Sequence, residues 1–176
     1  MRNGTLAARL RHCAELDQEV AKVPNKAAAD VDRWMRVAAE NQRLLWDVLG
    51  VHGWPGHSLV GTQGSADAAL IAQHATEDRK LQRFALARLI EAVDAGDALP
   101  AHIAYLTDRI HLHAGVPIRY GTQYDRNERG QYRLLPVEEP GTLDERRLAL
   151  GLEPLHVFEG RLGELHAGQD ILEERA

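Results

Sequence analysis

Residues 102–137 read HIAYLTDRIHLHAGVPIRYGTQYDRNERGQYRLLPV, and a change of character inside them decides the fold. From His102 to about His113, Ile103, Leu106 and Ile110 recur at helical spacing, and Gly115-Val116-Pro117 stops the pattern. Beyond it, Arg119 to Tyr124 and Gln131 to Val137 are short runs of Tyr, Thr, Leu and Val around the turn-like DRNERG, the pattern of an irregular hairpin. The rest of the chain carries helical spacing, so the expected fold class is mainly α: a single-domain helical bundle with a small β-hairpin near residues 119–137.

Working outward, Leu6, Leu10, Cys13, Leu16 and Val20 mark a first amphipathic helix, interrupted at Pro24-Asn25. A second helix is expected from about Lys26 to a stop at Gly50, with Val31, Trp34, Met35, Ala38, Leu45 and Leu49 on one side. The glycines and Trp54-Pro55 of GVHGWPGHSLVG (50–61) predict a shaped loop. Ser65 is the expected N-cap of a helix from Ala66 to about Thr76. Another runs from about Asp78 to Ala95 on Leu81, Phe84, Ala85, Leu89 and Val93. Thr142 with Glu145 forms a capping-box pattern for a short helix, about Leu143 to Leu150. The organisation is therefore an N-terminal helix or arm (1–25), a helical domain with the hairpin (26–160) and a polar tail (161–176).

Composition narrows the class. With 176 residues and 44% hydrophobic content, the chain is long enough for one real core, and 5% aromatics leave that core to Leu, Ala and Val, which favours packed helices. A net charge of −5 with scattered basic residues argues against nucleic acid as a partner. The single cysteine, Cys13, excludes an internal disulfide and any multi-cysteine zinc site; on the apolar spacing of its helix it is expected to be a buried thiol. MRNGTLAARLRHCAELDQEV is neither a signal peptide nor a membrane span, so no membrane and a cytoplasmic location are expected.

The polar residues that could carry chemistry are few. His74 and Asp78 are four apart, so on a continuous helix a carboxylate would sit one turn from an imidazole, the arrangement of a general base or a metal ligand. Against this stands an ordinary helix-surface pair. Asp108-Arg109 interrupts its helix with adjacent charges, and Arg109 shares a face with Tyr105; it could clamp a carboxylate or phosphate, or pin the hairpin in a salt bridge. Tyr120, Thr122 and Tyr124 alternate with Gly121 and Gln123 on an extended strand. His111-x-His113 is poor chelating spacing, and no zinc-protease, phosphate-loop, nucleophile-elbow or kinase motif is present, so neither metal nor organic cofactor is expected.

Taken in order, Trp46, Gly53-Trp54-Pro55, Val60-Gly61, Gln73-His74, Ala104-Tyr105-Leu106-x-Asp108-Arg109, Gly115, Tyr120-Gly121-Thr122-Gln123, Arg146-Arg147 and Leu150-Gly151-Leu152 make a pattern that resembles the bacterial DUF6624 family, roughly from Trp46 to Phe158. The resemblance supplies no activity, because the family's function is unknown. It implies that Trp54, His74, Asp108, Arg109, Tyr120, Thr122 and Gln123 form one constellation, with a departure at Ile118, where a glutamine is expected. The resulting expectation is an acid–base hydrolase, lyase or cyclase in which His74, Asp108 and Tyr120 are catalytic and Trp54, Arg109, Thr122 and Gln123 bind a small polar or anionic substrate. The alternative is a non-catalytic binding or regulatory module in which these residues lock the hairpin to the helices, with homodimerisation through the N-terminal helix.

Overall fold

A computed structural model describes residues 2–22, 27–126, 132–165 and 171–172. Among these residues the chain is mainly α-helical, with seven helices and one small sheet. Its contacts divide it into two compact units, Met1–His102 and Ile103–Ala176, a division that composition and spacing do not announce.

The first unit holds α1 (Gly4–Ala21), α2 (Ala28–His52), α3 (His57–His74) and α4 (Arg79–Asp94). Asn3 caps α1 by accepting the Leu6 N–H, and α1 buries Leu6, Leu10, Ala14, Asp17 and Val20 in its packing on α3 and α2. Cys13, beside that stripe, is half-buried, and burial pushes its thiol pKa up. The Asn3 N–H donates to the Leu59 carbonyl, Arg11 reaches Asp67 and Asp17 meets His74, so α1 and α3 run parallel. The Pro24-Asn25 break and a helix start at Lys26 lie outside the described residues.

Two sequence expectations fail in this unit. Helix α2 passes through Gly50 and ends at His52, where Gly53 takes φ +70. The chain is helical again from His57, kinked at Gly61 (φ +78), and Ser65 lies buried inside α3 instead of capping it. The cause is a cap supplied from elsewhere. Gly56 has no side chain to cap α3, and Asp97 takes that role: its carbonyl accepts the His57 N–H (2.8 Å), while its carboxylate accepts the Ser58 N–H (2.7 Å) and hydroxyl (2.7 Å). A Cβ on Gly56 would stand 2.1 Å from that carboxylate, so only glycine fits. Residues 75–78 then break the chain between α3 and α4, which buries Leu81, Gln82, Ala85 and Leu89.

The second unit contains nearly all of α5 (Ala101–Ala114), which ends at Gly115 with φ +70. The hairpin is real but shorter than its sequence suggests: β1 (Tyr124–Arg126) pairs antiparallel with β2 (Tyr132–Leu134), and β3 (Ile171–Leu172) joins β2 in parallel. Most of the DRNERG turn and Gln131 lie outside the described residues. Residues 119–123 form a loop where a strand was expected, because their N–H groups go to a side chain, as described below. A 3-10 turn, Pro140–Thr142, leads into α6 (Leu143–Ala149); Thr142 makes no side-chain cap bond, so the expected capping box is absent. Helix α7 (Leu155–Leu165) occupies the start of the expected polar tail, whose residues 166–170 and 173–176 lie outside the described residues. Among the described residues, no helix is long and apolar enough to cross a membrane.

Candidate functional site

His74 is the last residue of α3, and its imidazole meets a carboxylate that the spacing did not suggest. Nδ1 lies 2.5 Å from Oδ2 of Asp17 on α1, whose side chain is 8% exposed against 31% for His74. The Gln18 amide donates to the same oxygen at 3.4 Å. Nδ1 is the atom that meets the buried carboxylate, so the ring is held in one orientation and Nε2 is the nitrogen turned away from Asp17. The end of α3 that carries the ring is itself tied off, because buried Gln82 donates to the carbonyls of Gln73 (3.0 Å) and Ala72 (3.4 Å).

Asp78 does not share a helix face with His74, since the break at 75–78 separates them. It caps α4, accepting the N–H groups of Leu81 (2.9 Å) and Lys80 (3.1 Å), and takes the indole N–H of Trp46 at 2.7 Å. Slight burial pushes its pKa up, but these three hydrogen bonds outweigh it and hold the carboxyl below its ordinary value. Trp54 is buried, and its indole N–H is spent on the Ser65 hydroxyl at 3.0 Å, which pins the Trp54-Pro55 turn to the middle of α3.

In the second unit the polar motif is wound around Asp108. Fully buried on α5, its Oδ1 accepts the N–H groups of Arg119 (2.7 Å) and Tyr120 (2.9 Å), and its Oδ2 accepts the N–H (2.8 Å) and hydroxyl (2.9 Å) of Thr122. The carbonyls of the same loop face two arginines of α6. Arg146 Nε donates to Arg119 O at 2.9 Å, and fully buried Arg147 donates to Tyr120 O at 2.7 Å and Gly121 O at 3.3 Å. Residues 119–122 are thus gripped by an anion on their N–H side and two cations on their C=O side. Gly121 turns through φ +63 between them, with Leu143 and Leu155 closing over the place a side chain would take.

Thr122 and Gln123 are buried in this clamp, Gln123 donating to the Thr122 hydroxyl at 3.2 Å. The Tyr120 ring lies under the Arg119 guanidinium, 6.0 Å from its centroid. Arg109 has no ion pair among the described residues, its Nε is buried without a hydrogen-bond partner, and burial pulls its pKa down. Next to the clamp, Arg147 also caps the Phe158 ring and donates to Glu153 O, while the Tyr124 hydroxyl donates to Glu159 at 3.1 Å. Burial, followed by the Glu159 charge, drives the Tyr124 hydroxyl far above its ordinary pKa, so it keeps its proton and donates a hydrogen bond to Glu159.

No group of three or more His, Cys, Asp and Glu suited to a metal occurs among the described residues. A family model matches residues 12–169, nearly the whole chain, including both the Asp17–His74 pair and the Asp108 clamp. The chain belongs to the DUF6624 family. It is a family of unknown function, so the membership of DUF6624 carries no activity with it. No curated protein and no solved structure matches the chain.

Two residues that matter in this DUF6624 chain were missed by sequence reasoning. Asp17 could have been found, because it lies seven residues after Leu10 and three before Val20, a carboxylate on a buried stripe. Arg147 stood inside a quoted motif, but nothing in its neighbourhood distinguishes it from Arg146, and only the fold shows which is fully enclosed.

Proposed function

We propose that the protein is an enzyme without an organic cofactor, in which His74 serves as general acid and base on a small polar substrate and Asp17 is its positioning residue. The observation that carries this is the 2.5 Å contact between a buried carboxylate and the Nδ1 of a partly exposed imidazole. That pairing holds a proton acceptor in place while Nε2 exchanges protons with a bound molecule, as hydrolysis, elimination or cyclisation requires. Asp108 has no comparable role: its oxygens are occupied by a loop, so the reading assigns it, with Thr122 and Arg147, to holding residues 119–122 in shape.

The test is substrate consumption in a small-molecule cell extract, followed by mass spectrometry. Wild type should deplete a compound that His74→Gln and Asp17→Asn leave untouched, with circular dichroism showing the same helix content in all three. Equal depletion by His74→Gln would refute the assignment.

The Asp108 clamp favours a second reading, a binding or regulatory module in which the shared motifs are structural. In that case Asp17–His74 is a pin between parallel helices. His74→Gln would then lower the melting temperature and change no metabolite.

A further inference from the structure

The parallel packing of α1 on α3 leaves an open groove of about 530 Å³ along one flank of the pair. Its charged lining is Arg11, Glu15 and Glu19 from α1, Lys22 just past its C-terminal end, and Asp67 from α3, three carboxylates against two cations. Asp67 is the unusual member. Its side chain is only 6% exposed, yet one buried oxygen, Oδ2, has no hydrogen-bond partner among the described residues, while Oδ1 accepts the Gln63 amide at 2.9 Å.

A buried carboxylate with an unused oxygen is costly unless a cation compensates it. Arg11 does so poorly: its Nη1 stays 3.6 Å from Oδ1, its Nε leans towards Glu15 at 3.9 Å, and its side chain is 46% exposed. An ion pair that open contributes little, so the arginine head can be displaced at small cost. What it leaves behind is a carboxylate in a groove wall with acceptor capacity to spare and further acids around it.

We propose that this groove binds a small organic cation bearing N–H groups, an alkylammonium or guanidinium, with Asp67 as its anchor and the Arg11 head as the group it displaces. The Gln63 amide holds Oδ1 and with it the carboxylate's orientation, so the incoming N–H takes the place beside Oδ1 that the Arg11 head gives up. Glu15 and Glu19 add negative potential at the rim; Glu19 is itself held by Arg33 at 3.2 Å. Nothing in this proposal requires His74 to react, and it stands or falls apart from the acid–base function.

Isothermal titration of the full chain with 1,4-diaminobutane at low salt tests it, with 1,4-butanediol as the uncharged control. The diamine should bind and the diol should not. Asp67→Asn should weaken the diamine at least tenfold with its circular dichroism spectrum unchanged, and Arg11→Gln, which keeps Asp67 and removes its competitor, should bind several-fold more tightly. His74→Gln should bind as wild type does. No binding by wild type, equal affinity in a folded Asp67→Asn, or unchanged or weaker affinity in Arg11→Gln would each overturn the proposal.

Discussion

Asp17 and Asp108 are both buried carboxylates on helices, and they spend their charge in opposite ways. Asp108 gives both oxygens to a loop, accepting three backbone N–H groups and a hydroxyl, none of which changes its protonation near neutral pH. Asp17 gives an oxygen to an imidazole that is itself partly exposed. The first arrangement builds shape; the second holds a titratable, partly exposed ring in one orientation. A polar motif read from sequence does not separate these uses, since both need a buried acid. What separates them is whether the partner is backbone or a titratable side chain.

The largest expected effect tests the shape-building side. Asp108→Ala strands three backbone donors and should cost about 3–5 kcal/mol in a denaturant titration; a loss under about 1 kcal/mol would mean the loop holds itself. Arg147→Met removes the opposite half of the clamp, including the bonds to Tyr120 O, Gly121 O and Glu153 O, and should cost about 2–3 kcal/mol by the same measurement.

Asp78→Ala, which removes the α4 cap, should cost about 1 kcal/mol at pH 7. The hydrogen bonds to Asp78 lower its folded pKa below the unfolded value, so its contribution is complete above the unfolded pKa and fades as pH falls through the folded one. Melting curves of wild type and Asp78→Ala should therefore converge below about pH 4. The smallest stability change is expected at His74→Gln, about 0.5 kcal/mol or less, together with the loss of turnover described above. A stability loss as large as that of Asp108→Ala would erase the contrast between the two acids and place both on the structural side.

Helices with a clear apolar stripe were legible from the chain: α1 and α4 follow the spacing of Leu10 and Leu81 with their neighbours, whereas α5 forms where expected but buries Ala104, Leu106 and Asp108, leaving Ile103 and Ile110 half-buried. The hairpin's existence was legible too, while its extent was not, because Asp108 withdraws the N–H groups of residues 119, 120 and 122 from strand pairing. The start of α3 was invisible for a related reason: glycine and proline at 53–56 signal a loop, and the cap lies at Asp97. Of the expected site residues, His74 was paired with the wrong carboxylate, since Asp78 is near in sequence and Asp17 is near only after two helices align. Non-local partners account for each of these misses, and one sequence carries no register between helices.

That distant cap has a kinetic side. The first turn of α3 depends on Asp97, forty residues downstream of His57, so it cannot be completed until α4 and the turn after it have formed. Slow hydrogen exchange at the amides of His57 and Ser58 would then report the closure of the α4–α5 connection more than the helix they belong to. Two protons at one end of α3 become a clock for the assembly of the first unit.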